Sequence, residues 1–172
     1  MRTKRRLSVR NALAALKRVW AANKGVILVI ALILLVDRVT KVLTLQYLTA
    51  GAWEPFSWFH LRYVENTGMA FGMMQNGNLL LIFVMIAVVA YLLKSWKELC
   101  AMGPLVKWAL AFILAGAIGN LYDRITLGFV VDFLDFRVWP VFNVADSFIT
   151  IGGCLLALSL LLPKGNRKGE EK

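Results

Sequence analysis

Four apolar runs, at 26–36 continuing through 45, 79–93, 105–118 and 148–162, constrain this chain more than any other feature. They take up so much of 172 residues, at 59% hydrophobic composition, that an ordinary water-soluble domain has no surface left to build. A helix needs about 20 residues to cross about 30 Å of hydrocarbon, so several runs reach across only if neighbouring polar residues are drawn into the membrane. The expectation is an all-α membrane protein: one integral domain with four transmembrane helices at about 25–45, 77–94, 104–122 and 144–162, and outer segments at about 46–76 and 123–143.

The net charge of +10 raises nucleic-acid binding, but eight of the twenty basic residues fall in 1–24, directly against the first run. Topology and anionic lipid explain that placement, and no nucleic-acid partner is expected. The connector 94–107 adds three basic residues and the tail from 163 adds four, whereas the opposite side holds five in all. Both termini are therefore assigned to the cytoplasm. Leu13, Leu16 and Trp20 share a helical face among Arg10, Lys17 and Arg18, which lays the arm along the inner membrane surface. A cleavable signal peptide ending near Ala50-Gly51-Ala52 is the competing reading. Asp37, Arg38 and Lys41 separate that tripeptide from the apolar run, so the first span is expected to stay. Cys100 and Cys154 fall at different membrane levels and predict no disulfide. One chain suffices for this organisation, and a monomer is expected.

Trp53, Phe56, Trp58, Phe59 and Tyr63 crowd the first outer segment, a density suited to the headgroup boundary. Residues 58–64 read as a strand and Asn66-Thr67-Gly68 as the turn after it, giving a small β-containing interfacial element. In the second outer segment, 129–136 is aromatic and β-branched and reads as extended.

Seven of the ten acidic residues lie at outer span ends or in outer segments: Asp37, Glu54, Glu65, Asp123, Asp132, Asp135 and Asp146. Ionisable groups at membrane depth are costly and point to function. Asp37 and Lys41, four apart, share a face and predict an ion pair. Asn120, Asp123 and Arg124 form a polar end to the third span, and Asn143 and Asp146 open the fourth at matching depth. Asp132 lies between these groups, and a short return of its segment would bring it to Asp146. Two adjacent carboxylates cannot both ionise cheaply, which leaves one acid and one base for attack of water on a peptide carbonyl. No metal or other cofactor is needed. Plain helix capping explains Asn143 and Asp146 equally well by spacing alone. Serine and cysteine mechanisms lack a base, since the one histidine, His60, falls in the aromatic strand. A transporter would carry polar groups through the full membrane depth, and these spans are apolar in their middles and inner halves. An oxygen-ligated Mg²⁺ or Ca²⁺ site is the third alternative, which chelator sensitivity separates from a dyad.

Five motifs in order resemble the lipoprotein signal peptidases, the signal peptidase II family, from about residue 24 to 162. They are Asp37-Arg38-Val39-Thr40-Lys41, Asn66-Thr67-Gly68-Met69-Ala70-Phe71-Gly72, Gly119-Asn120-Leu121-Tyr122-Asp123-Arg124, Val130-Val131-Asp132-Phe133 and Phe142-Asn143-Val144-Ala145-Asp146-Ser147. The resemblance implies an aspartic endopeptidase of the bacterial inner membrane. Such an enzyme faces the periplasm or exterior and removes signal peptides from diacylglyceryl-modified prolipoproteins just before the lipidated cysteine. It implies Asp132 and Asp146 as the catalytic pair, with Asp37, Lys41, Asn66, Gly68, Asn120, Asp123, Arg124 and Asn143 in supporting or substrate-binding places. Asp123 stays open as a rival partner for Asp146, ranked second because Arg124 and Asn120 adjoin it.

Overall fold

The computed structural model describes residues 2–68 and 77–162, with side chains from Asn23 onward. The side chains of the basic arm, the tail from 163 and the second half of the Asn66–Gly72 motif lie outside the described residues. The elements in chain order are helix α1 (Arg2–Tyr47), strands β1 (Trp53–Phe56) and β2 (Phe59–Asn66), helices α2 (Asn78–Lys94), α3 (Trp96–Cys100) and α4 (Pro104–Thr126), strand β3 (Val130–Asp135) and helix α5 (Val144–Leu161).

The apolar runs are the helices. The α4 and α5 helices are long and apolar enough to cross a membrane, while α2 is one residue short of the same length and α1 carries Asp37, Arg38 and Lys41 in its C-terminal part. The backbone of α1 is helical without a break from Arg2, so the arm and the first apolar run are one helix. Two small elements go beyond the sequence expectation. The connector 94–107 holds the single turn and a half of α3, and the aromatic segment supplies a strand of its own, β1, ahead of β2. Pro55 sits inside β1, which is the edge strand, where a missing backbone donor costs least.

Large apolar side chains point outward along the helices: Leu28, Leu32 and Leu35 of α1, Phe83 of α2 and Leu160 of α5 are all exposed. In water this surface would aggregate, and in lipid it is the solvated face. Among the described residues, the five largest fully buried side chains are Lys41, Val131, Asn143, Asp123 and Asp132, four of them polar. The bulkiest part of the buried interior is thus polar.

Small residues bring α4 and α5 together. A Cβ built on Gly116 would run into the Ala145 carbonyl, and one on Gly152 would stand 2.6 Å from the Ala109 carbonyl oxygen. Only glycine admits that approach, the usual way for helices to pack where lipid removes the hydrophobic drive. At the end of the helices near α3, Leu92, Val106, Leu110 and Leu114 close a conventional apolar cluster.

At the opposite end β1, β2 and β3 form an antiparallel sheet in that order. After β3 the chain turns through Arg137, in the left-handed region at φ 65°, and returns so that Phe142 bridges Leu134. Three main-chain bonds fix the return: Phe133 N–H and Leu134 N–H to Phe142 C=O at 3.0 and 2.8 Å, and Phe142 N–H to Leu134 C=O at 3.1 Å. This short loop delivers the start of α5 beside β3.

Candidate active site

Asn66 opposes Val130 in the β2–β3 register and Val64 opposes Asp132, so Asn66 and Asp132 are diagonal neighbours on one sheet face. Asn66 Nδ2 donates to Asp132 Oδ2 at 2.9 Å. The other oxygen, Oδ1, accepts from Asn143 Nδ2 at 2.7 Å. Asn143 is the residue that the return loop sets down at the N-cap of α5.

Asn143 and Asp146 make a reciprocal capping box: Asp146 N–H donates to Asn143 Oδ1 at 2.9 Å, and Asn143 N–H donates to Asp146 Oδ2 at 3.3 Å. Capping does not exhaust these two side chains, which also reach Asp132 and Asn120. The box satisfies the helix end and fixes both side chains against the groups across from them. Asp146 Oδ1 accepts from Asn120 Nδ2 of α4 at 2.7 Å. Each of the four carboxylate oxygens of Asp132 and Asp146 thus takes one amide donor, and among the described residues no cation is bonded to either aspartate.

The cations lie one layer away. Lys41 Nζ is wholly buried and sits 3.0 Å from Asp37 Oδ2, 2.9 Å from Asp123 Oδ2 and 2.9 Å from Asn120 Oδ1, which uses all three of its protons. Asp37 Oδ1 accepts from the Ala145 N–H at 3.0 Å and so ties α1 to the first turn of α5. Asp123 also pairs with Arg38 Nη1 at 2.9 Å and accepts from the Val131 N–H at 3.3 Å. Two acids and two bases of this layer cancel, as burial demands. Gly119 sits against it, where a Cβ would be 2.7 Å from Asp37 Oδ2. Arg124, although adjacent to Asp123, turns elsewhere: it donates to the Gly68 carbonyl and to Asn78 Oδ1 at 3.2 Å, fastening the β2 turn and the start of α2 to α4. Gly68 returns an N–H to Asn66 Oδ1 at 3.1 Å.

The structure therefore brings Asp132, Asp146, Asn66, Asn120 and Asn143 into one network, puts Asp37, Lys41 and Asp123 in a charge layer behind it, and places Arg124 and Gly68 at its rim. Four contributors lie beyond the sequence reading: Arg38 as second partner of Asp123, Asn78 as partner of Arg124, and Arg62 and Arg137, which hold Asp135. Arg38 was legible as a second cation three residues before Lys41. Asn78 and Arg62 carry no local signal.

A cleft of about 770 Å³ opens beside this network. Asn66, Asn120, Arg124 and Asp146 make its polar end, while Leu81, Val84 and Met85 of α2 face Ile149 and Ile151 of α5 along the rest. Asp146 lines the cleft, and Asp132 lies behind it, 1% exposed. Burial first, and the nearby negative charge of Asp146 second, push the Asp132 carboxyl up to about 7, against the lowering effect of its two asparagine donors. Asp135, three residues on, goes the other way: burial would raise it, but bonds from Arg137 and Arg62 outweigh that and lower it.

The signal peptidase (SPase) II family model matches residues 29–162. The chain is 44% identical to a lipoprotein signal peptidase of Caldanaerobacter subterraneus over 82% of its length and 99% of the relative's. It is 40% identical to that of Moorella thermoacetica, over 84% and 97%. A solved bacterial membrane enzyme superposes with a TM-score of 0.74 at 27% identity, covering 87% of this chain and 94% of the other.

Proposed function

Because the chain belongs to the signal peptidase II family, we propose that Asp132 and Asp146 are the pair with which it removes signal peptides from prolipoproteins. The observation that carries this is the paired arrangement itself: two carboxylates joined through Asn143, each oxygen holding one amide donor and keeping a lone pair for water or a proton. The pair shares one proton near neutrality, as like charges at close quarters require. We assign that proton to Asp132, which is 1% exposed and lies behind the cleft wall. Asp146, on the cleft wall, is the base.

In this reading Asp146 takes a proton from a water molecule as its oxygen attacks the scissile carbonyl carbon. Asp132 donates to the carbonyl oxygen as it becomes an oxyanion. Collapse of the tetrahedral intermediate breaks the C–N bond, and the proton held on Asp146 passes to the leaving amine. The cleft supports the substrate class: its polar end suits a peptide backbone and its apolar length suits the acyl chains of a diacylglyceryl group on the cysteine that follows the cut. The protein would act as a monomer with membrane lipid around it.

The same reading makes all four long helices membrane spans, with both termini in the cytoplasm of a bacterial inner membrane and the sheet outside. The basic residues at 1–24 and 94–107 support that orientation. Lipid tolerates the short α2 and the charged outer half of α1 because the charges turn inward and cancel.

Purified Asp132→Asn and Asp146→Asn proteins, assayed on lipidated precursor at equal amounts of folded enzyme, are expected to lose about 10³-fold or more in rate, the scale of removing an acid or a base. Near-normal cleavage by either variant overturns the assignment.

A further inference from the structure

The three asparagines at the aspartate pair are each held by a group that can only donate. Lys41 Nζ meets one end of the Asn120 amide at 2.9 Å, the Asp146 N–H meets one end of Asn143 at 2.9 Å, and the Gly68 N–H meets one end of Asn66 at 3.1 Å. A donor-only neighbour forces the facing atom to be the carbonyl oxygen, so the amide nitrogen must face the other way. In each case that other way is an aspartate: Asn120 toward Asp146, Asn143 and Asn66 toward Asp132. For Asn143 and Asn66 the donor is backbone and beyond the reach of substitution. For Asn120 it is a side chain.

We propose that Lys41 is a positioning residue of the hydrolysis, which locks the Asn120 amide with its N–H side against Asp146. Without that lock the Asn120 oxygen keeps only the longer bond from Asn143 Nδ2 at 3.2 Å, a donor that Asp132 Oδ1 shares at 2.7 Å, so the amide turns its oxygen toward a carboxylate more readily, replacing a donor by a repulsive contact. The inference rests on the reading of Asp132 and Asp146 as the reacting pair. It also separates Lys41 from its other duty, neutralising Asp37 and Asp123, which any buried cation of the right reach fulfils.

The surrounding charges are few and accounted for. On its own helix Lys41 faces Asp37, with Arg38 turned to Asp123; from α4 it faces Asp123, while Arg124 is spent on Gly68 and Asn78; beyond Asn120 stand Asp146 of α5 and Asp132 of β3. The charged residues of β2 look elsewhere, Arg62 to Asp135 and Glu65 to Tyr63, and α2 brings no charged group to the site among the described contacts.

The test compares full-length wild type, Lys41→Met and the charge-compensated Lys41→Met/Asp123→Asn in lipid nanodiscs, with lipidated precursor as substrate and Asp132→Asn as the inactive reference. The double variant restores a neutral layer, one acid against Arg38, and keeps the test alive if the single variant does not fold. Both Lys41 variants are expected to lose about tenfold or more in kcat with KM within about threefold, the pattern of an interaction used in the transition state. The acid limb of kcat/KM should move to higher pH in both. A second arm repeats Lys41→Met in an Asn120→Ala background, where its effect on kcat should largely vanish because the group it positions is gone. An unmoved pH profile, or equal losses with and without Asn120, overturns the positioning role. Activity in the Asp132→Asn reference overturns the underlying pair instead.

Discussion

At the scale of single residues, Asp132 and Asp123 are equally hidden and differently held. Asp132 meets only amides, while Asp123 meets two cations and a backbone N–H. That difference is the ground on which the proposal gives the proton transfer to Asp132. The sign for Asp132 follows from a carboxyl raised from 3.8 to about 7. The folded state favours its neutral form, so its contribution to stability is complete below about pH 4 and is lost as pH rises through about 7. In activity, kcat/KM should fall on the alkaline side with a limb near pH 7, and the unfolding midpoint of the wild type should drop more between pH 5 and 8 than that of Asp132→Asn. A flat alkaline limb to pH 9 contradicts a proton-bearing Asp132. For Asp123→Asn the expectation is a loss of stability of about 3–5 kcal/mol, the cost of leaving buried cations short of a partner, with cleavage retained by the folded fraction. Measuring inserted protein and melting temperature beside activity distinguishes this from a chemical defect, and a stable but dead Asp123→Asn protein would restore it as a catalytic candidate. The Asp37–Lys41 pair was legible because four-residue spacing in a helix is a rule of geometry. The Asp123 ranking rested on neighbours in sequence, and its actual partners, Lys41 and Arg38, come from another helix.

At the scale of elements, the α4–α5 contact does the positioning. Gly116 and Gly119 let the first turn of α5 sit against α4, and that fit sets Ala145 on Asp37 and Asp146 on Asn120. Gly116→Ala should therefore cost roughly 1–3 kcal/mol by overpacking and should lower kcat as the two helix ends separate. Gly153→Ala, whose added methyl meets nothing within 4 Å, is the matched control and should leave melting temperature and activity near wild type. Equal behaviour of the two variants would remove the close approach from the account. The sheet contributes in the same manner: the β2–β3 register places Asn66 diagonal to Asp132. Strand character at 58–64 and 129–136 was readable from alternation and β-branching, but their register, and the edge strand β1 with its proline, were set by pairing that no local pattern encodes.

At the scale of the whole molecule, apolar side chains cover the helices and the buried polar groups gather at one end, the arrangement on which the proposed membrane orientation rests. In cells expressing a Cys154→Ser variant, Cys100 in the α3 connector should react with a membrane-impermeant maleimide only after the membrane is opened. Cysteine placed by Ser57→Cys, between β1 and β2, should react in intact cells once outer barriers are removed. Labelling of Cys100 from outside would reverse the orientation. By itself the sequence determined the helical runs, the side on which the acids gather, the charge asymmetry and five motifs, because hydropathy, helical spacing and motif order are properties of the chain written in one dimension. The tertiary structure alone decided which acid faces amides and which faces cations, since Asp132 reaches Asp146 only through a return loop, a strand register and a glycine-lined helix contact. Paired aspartates need sub-ångström placement across segments far apart in the chain, and only the packed fold supplies it.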